Sequence, residues 1–578
     1  METRPAALVR QVRARDSGDE TPTKLLLELD LSRGVAEAPP STPVEAARTR
    51  HVPVLRHLVE GLRQGADDPD VVGLVAHIGT AHPSLAVAGE LHRAVRQFRD
   101  RGKKAVCWSE SYGEMGPGNV AYFLASAFDE IWLQPSGDVG LTGVVARGVF
   151  LREALDRAGI SPQMSQRHQY KTAADTFLRS GMTEPHREMA TRLAESAMET
   201  ILKGVSLGRG LSVNTLRSVV ERAPLHAEEA VEGGLVDRLG YRDEVYAAVR
   251  EGLPPVRLRY VERYRKRPDA SAAHRLRARS RPVVAVVQAS GPIHLGRSHG
   301  GSPLRGRSVG ADSLGAALRA ARADDAVRAV VLRVDSPGGS YVASDALRRE
   351  VLATRESGRT VVASMGSVAA SGGYYIAMPA DLVVADEGTI TGSIGVLAGK
   401  QVVRDALQRF GVRVESVSVG RQAEMFSTQR EFTADEWQRL ETWLDRVYDD
   451  FTAKAAHDRG MDVASLREVA KGRVWTGADA RERGLVDRLG GLDEAVDLAC
   501  ERAGLRRENV EVKTLPKSPL LQQLRPAQSS ESPAAAAGLG GLGDGGLGDG
   551  GSLLDMVYRA LRMPAYGVLT TPVLWDLR

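Results

Sequence analysis

The chain has only two cysteines in 578 residues, Cys107 and Cys500. Two thiols give no basis for a disulfide framework and permit a reducing compartment. No apolar run approaches the roughly 20 residues needed to cross a bilayer, and residues 1–35 lack the apolar core of a secretory signal. No transmembrane anchor or signal peptide is therefore expected, and any membrane contact would be peripheral. Net charge is small, +4 from 77 basic and 73 acidic side chains, which removes the electrostatic reason to expect nucleic acid. Lysine is scarce, at 11 of the 77 basic residues, and His457 is the only histidine between residues 311 and 500. No metal-ligand spacing and no nucleotide-binding loop stands out, so neither a metal nor a cofactor is expected. What remains, 43% hydrophobic and 26% charged residues, is ordinary for a globular chain long enough for two large domains and tails.

What is present is a duplication. Phe150-Leu-Arg-Glu-Ala-Leu-Asp-Arg-Ala-Gly-Ile160 returns 252 positions later as Val402-Val-Arg-Asp-Ala-Leu-Gln-Arg-Phe-Gly-Val412, and Gly-Leu-Val-Asp-Arg-Leu-Gly occurs at both 234–240 and 484–490. In each copy strand-like runs alternate with helical ones: strands at 71–77, 104–108 and 130–133, helices at 85–98 and 120–128, then strands at 283–288, 329–334, 360–364 and 382–385. That alternation predicts βαβ units and mainly parallel sheets. The expected division is an N-terminal segment and connector (1–50, with a short strand at 24–31), a first α/β repeat (51–252) and a basic linker (253–282). A second α/β repeat (283–504), a Pro/Ala then Gly-rich linker (505–552) and an amphipathic tail (553–578) follow. The tail's apolar spacing makes it the candidate for peripheral membrane contact, or for docking on its own protein or a neighbouring subunit.

The two copies differ where chemistry could reside. Asp335-Ser-Pro-Gly-Gly-Ser340 ends a strand-like run in a diglycine turn, where backbone N–H groups are open to a ligand as in an oxyanion hole. Alone, such a turn is as readily structural. Ala370-Ser-Gly-Gly-Tyr-Tyr375 sets Ser371 at a helix start, either as an N-cap or as a nucleophile in the field of the helix N-terminus. The first copy has Asn119 in place of Ser371. With no histidine near, a serine there needs another base. Lys171, in Tyr170-Lys-Thr-Ala173, stands where the second copy has Ala423. Small and aromatic neighbours could desolvate its ammonium and let it act as a base, which an arginine could not do. Read otherwise, it is a surface lysine. Each copy lacks what the other carries, which points to one composite site.

These motifs, together with Thr389-Ile-Thr-Gly-Ser-Ile-Gly395, resemble the signal peptide peptidase A (protease IV) family in its long two-repeat form, over about residues 51–504. The resemblance implies two tandem repeats of the crotonase and Clp-protease α/β superfold, and a serine endopeptidase acting on short apolar peptides such as released signal peptides. It assigns Ser371 as nucleophile and Lys171 as general base. It further gives Ser393 as the residue orienting the lysine, and Gly338, Gly339 and Gly372 as the oxyanion site. Closed homo-oligomers are implied, with a tetramer expected. Long-form members commonly carry an N-terminal membrane anchor; its absence here leaves a cytoplasmic or peripherally membrane-associated protein as the expectation. Two readings stand beside this one: an acyl-CoA-processing crotonase-like enzyme, which uses similar diglycine turns, and a noncatalytic scaffold.

Overall fold

The valine- and leucine-rich runs form the centres of two sheets that repeat one another. The computed structural model describes residues 24–40, 43–79, 83–114, 116–266, 281–298 and 307–515, and two short strands near the end, Leu569–Thr570 and Asp576–Leu577. The Gly-rich stretch 538–551, the apolar-spaced run 553–563 and residues 267–280 of the basic linker lie outside the described residues. From edge to edge the first sheet runs Val256–Tyr260, Lys24–Asp30, Val71–His77, Lys104–Ser109, Glu130–Leu133 and Arg238–Leu239, every neighbour parallel. The second runs Glu511–Leu515, Val283–Ser290, Val327–Ser336, Thr360–Ala370, Leu382–Ala385 and Arg488–Leu489 in the same order and sense. Strands from outside 51–252 and 283–504 thus complete both sheets. Helices cover the faces, and central strands such as Val283–Ser290 are buried almost throughout, which is why they read as continuous apolar runs.

The same addition flanks both sheets, in the first as Asp138–Val139, antiparallel to Leu225–His226 and bridged to Tyr112, and in the second as a continuous strand. Thr360–Ala370 continues past its pairing with Leu382–Ala385, and its far end pairs with Ile390–Gly392, which lies antiparallel to Val474–Thr476. The extension ends at Ser371.

Local sequence explains the helices. The two 26-residue helices, Glu184–Arg209 and Ala434–Arg459, occupy equivalent places. Each begins at a threonine whose hydroxyl accepts a backbone N–H, Thr183 and Thr433, and each ends at a left-handed glycine, Gly210 and Gly460. The helix expected at 120–128 is Asn119–Ala125; it ends at Ser126, whose N–H donates to Tyr122 O at 2.9 Å and whose Oγ donates to Phe123 O at 2.6 Å. Among the described residues no helix is long and apolar enough to cross a membrane.

The repeats are held to each other by a strand pair and by buried charge. Ser161–Gln166 of the first lies antiparallel to Leu397–Val402 of the second. Arg333, fully buried in the second sheet, donates to Glu90 at 2.6 Å and to Glu37 at 2.7 Å. Arg93 sits 2.8 Å from the buried Asp386. Removing one partner of such a buried pair typically costs about 3–5 kcal/mol, so the repeats are fixed relative to each other.

Candidate active site

Ser371 stands between the extended strand Thr360–Ala370 and the helix Gly372–Ala377, with φ +54° and ψ −114°. A serine with positive φ is strained by roughly 1–3 kcal/mol, and tertiary contacts hold it there. Its N–H donates to Gly392 O at 2.8 Å. Its side chain makes no cap hydrogen bond, so the N-cap reading of this serine does not hold. The two glycines after it are required by packing: a Cβ on Gly373 would lie 2.4 Å from Ser336 O, and one on Gly372 would lie 3.0 Å from Gly339 N. The Ser371 turn and the 338–339 turn therefore meet backbone to backbone. Gly338 N–H donates to Ser336 Oγ at 3.2 Å, so of the three expected oxyanion donors it is already engaged. Gly372, first residue of its helix, has no intrahelical acceptor for its N–H.

The tyrosines of the motif have a structural task that the duplication makes visible. Tyr374 OH donates to Leu485 O at 3.1 Å, and in the first repeat Tyr122 OH donates to Leu235 O at 2.7 Å. Tyr375 OH bonds Asp345 and Asp450 at 3.0 and 3.1 Å, so both rings pin the helix that begins beside Ser371.

Lys171 comes from the other repeat and is not on the surface: it is fully buried. Its Nζ lies 2.8 Å from Ser371 Oγ, 3.0 Å from Ser393 Oγ and 3.0 Å from Ser393 O. The strand Ser161–Gln166, locked to the second repeat, delivers it. Burial alone pushes the lysine well below its usual range. Two glycines make the slot: a Cβ on Gly472 would lie 2.6 Å from Lys171 Cβ, and one on Gly395 would lie 3.2 Å from Lys171 Cδ. Ser393, itself at φ +50°, is held by its N–H donating to Arg473 O at 2.7 Å.

Among the described residues the first repeat has no such centre. Asn119, in the place of Ser371, donates through Nδ2 to Gly143 O at 2.8 Å and accepts from Gly143 N at 3.1 Å, which closes the turn on itself. His457 is largely exposed and faces Asp458. Gly472 escaped the sequence reading because it sits in no motif; Ser336 lies inside the Asp335–Ser340 motif, but its contact with the Ser371 turn is a spatial signal. The site thus offers a strained serine hydroxyl, an amine in contact with it and backbone N–H groups beside it. That constellation suits acyl transfer.

A family model described as "Peptidase family S49" matches residues 97–254 and 353–506, one stretch in each repeat. The chain belongs to peptidase family S49. Serine protease SPPA, chloroplastic, of Arabidopsis thaliana is 32% identical over 460 residues, 78% of this chain and 66% of that relative. Protease 4 of Salmonella typhi is 32% identical over 462 residues, 78% of this chain and 72% of the relative. Among solved structures, a mutant of the 1510-N membrane-bound stomatin-specific protease in complex with a substrate peptide is 16% identical with a TM-score of 0.26, covering 41% of this chain and 94% of that one. A ClpP1 mutant from Listeria monocytogenes is 12% identical with a TM-score of 0.24, covering 39% and 98%. This S49 chain is a serine peptidase with two family domains in tandem, and the acyl-CoA and scaffold readings are set aside.

Proposed function

We propose that this peptidase works through a Ser371–Lys171 dyad formed within one chain, and that it cleaves short apolar peptides, such as released signal peptides, bound in extended form. The 2.8 Å approach of Lys171 Nζ to Ser371 Oγ in a wholly buried slot carries the reading. Lys171, neutral, takes the Ser371 hydroxyl proton as Oγ bonds to the scissile carbonyl carbon. Negative charge on the carbonyl oxygen meets the N–H groups of Gly372 and Gly339, while Gly338 holds the turn. The carbon–nitrogen bond then breaks as Lys171 returns the proton to the leaving amine. Water, deprotonated by the same lysine, releases the acyl group from Ser371. Ser393 orients the lysine through the two contacts described.

The extended-peptide part is supported by the chain itself. Its Leu569–Thr570 backbone lies antiparallel to Gly338–Gly339, so this edge accepts a β-strand, the recognition mode of extended peptides.

The depressed lysine makes two expectations. First, the rate of Ser371 labelling by a fluorophosphonate, and kcat/KM on an apolar peptide, should rise with pH through one ionisation and level off, since only neutral Lys171 can accept the proton. A rate falling steadily between about pH 6 and 9, with the fold intact, would sink the reading. Second, folding strips Lys171 of a proton that the unfolded chain still holds, so the native state binds fewer protons. The stability penalty is full below the lowered folded pKa and shrinks as pH rises toward the ordinary lysine range. Lys171→Met should therefore raise Tm relative to wild type at neutral pH, and the difference should narrow in alkali. A difference that does not change with pH would mean that the native lysine keeps its proton.

A further inference from the structure

Between the helix Leu55–Ala66 of the first repeat and the helix Leu492–Arg502 and edge strand Glu511–Leu515 of the second lies a cavity of about 450 Å³. That volume suits a small organic ligand rather than a lone ion. None of its lining residues belongs to the Ser371–Lys171 centre. Five arginines line it: Arg56, Arg63, Arg265, Arg281 and Arg507. The buried carboxylates in its wall are already committed. Glu60 accepts from Arg63 at 2.8 and 3.1 Å, and Glu90 accepts from Arg333 at 2.6 Å. Asp493 accepts from Arg507 at 3.1 Å, and burial pushes its carboxyl up to about 6. Glu508 is exposed. Positive charge is left over.

The surplus sits on two residues. Arg56, half-buried, donates to Thr514 Oγ1 and to Val512 O, the latter at 2.8 Å; Arg265 donates to Tyr264 O at 2.6 Å and to Glu262 O at 3.2 Å. Every one of these acceptors is neutral, and among the described residues neither arginine pairs with a carboxylate. Other half-buried arginines of the chain do: Arg322 meets Glu350 at 2.8 Å, Arg348 meets Asp458 at 2.6 Å and Arg459 meets Asp487 at 2.5 Å. Burial, with Arg507 and Arg265 nearby, pushes the Arg56 guanidinium below its usual range, and Glu60 offsets this only in part. A guanidinium withdrawn from water without a counter-charge is costly, and an anion in the cavity removes that cost.

We propose that this cavity binds a diphosphate, free or carried by a nucleotide, with Arg56 and Arg265 as its charge partners. Planar guanidinium forks match phosphate oxygens in pairs, which an ammonium does not. Two uncommitted arginines call for an anion of more than one charge, and Val59, Val496 and Val510 leave apolar wall for whatever the diphosphate carries. The site joins the repeats. Arg56 belongs to the first and its donors already reach the edge strand of the second, so the bound anion braces the two halves whose relative position sets Lys171 against Ser371. A ligand held only by the folded chain stabilises it by mass action. The chemistry at Ser371 plays no part in this, and the inference stands apart from the catalytic reading.

The test is titration calorimetry of the full chain with inorganic pyrophosphate and, separately, with ADP, at constant salt and without phosphate or divalent metal. One site per chain is expected, and saturating pyrophosphate should raise Tm by a few degrees. Arg56→Gln and Arg265→Gln should each weaken pyrophosphate about tenfold or more, with circular dichroism unchanged. Arg222→Gln, at an exposed arginine on another helix, should bind as wild type does. Arg265 is itself exposed, so its variant keeps the test open even where Arg56→Gln does not fold. Binding of ADP no tighter than that of pyrophosphate assigns the free diphosphate; tighter binding of ADP assigns the nucleotide. Absence of heat and of any Tm shift with both compounds at millimolar concentration overturns the proposal, and so does binding that Arg265→Gln leaves unchanged.

Discussion

Ser371→Ala and Lys171→Ala should each lower kcat/KM by about 10⁴-fold or more, and the double variant should be no worse than either single one. The non-additivity follows from geometry. Lys171 Nζ touches Ser371 Oγ at 2.8 Å, and in a shared proton transfer either partner is idle without the other. Peptidase assays would be paired with intact-mass detection of fluorophosphonate labelling. Wild type should label, Ser371→Ala should not, and Lys171→Ala should label at a rate lowered in step with its activity. Normal labelling of folded Lys171→Ala would leave Ser371 as nucleophile but remove the lysine from the mechanism. Losses that add in the double variant would mean that the two residues act separately.

Gly472→Ala should be almost as damaging although Gly472 contributes no side chain. Its φ is +78°, and a Cβ there would lie 2.6 Å from both Cβ and N of Lys171. The clash is with backbone and with the root of the side chain, so the lysine must move. A displacement near 1 Å at a catalytic group costs on the order of 10²-fold in rate, and the left-handed alanine adds roughly 1–3 kcal/mol of strain. Gly504→Ala is the control, because its φ is +67° but nothing lies within 4 Å. The control should lose stability without losing activity. Equal activity in the two variants would show that the slot does not position Lys171.

Much of this arrangement was legible before any fold was known. The 252-residue repeat announces two like sheets, and their strand orders do match, down to Tyr122 and Tyr374 performing one task. The caps Thr183 and Thr433 and the glycines Gly210 and Gly460 are short-range hydrogen-bonding signals that the sequence carries, although the expectations above placed neither of the two long helices. Ser371 and Lys171 were found as complementary absences, Asn119 and Ala423 standing in their places.

Gly472 was invisible to that reading, since it sits in no motif and its importance is a matter of what lies across the gap. Ser336 stood inside the Asp335–Ser340 motif, but nothing local showed that it packs against Gly373. The strained φ of Ser371 is likewise imposed by the extended strand and the turn at 336–339, since no local preference favours it. Val256–Tyr260 and Glu511–Leu515 joined the sheets as edge strands, and Lys24–Asp30 entered the first sheet one strand in, each far in sequence from a strand it pairs with. Local reading could find Lys24–Asp30 as a strand but not its place.

By itself, the sequence determined the duplication, the alternation of strands and helices, and which copy holds the serine and which the lysine, because each depends on residue identity and near-neighbour spacing. Only the tertiary structure decided that Lys171 is buried and that it meets a serine 200 positions away. Those outcomes follow from long-range register and packing, and the proton affinity of a lysine depends on the water that packing removes.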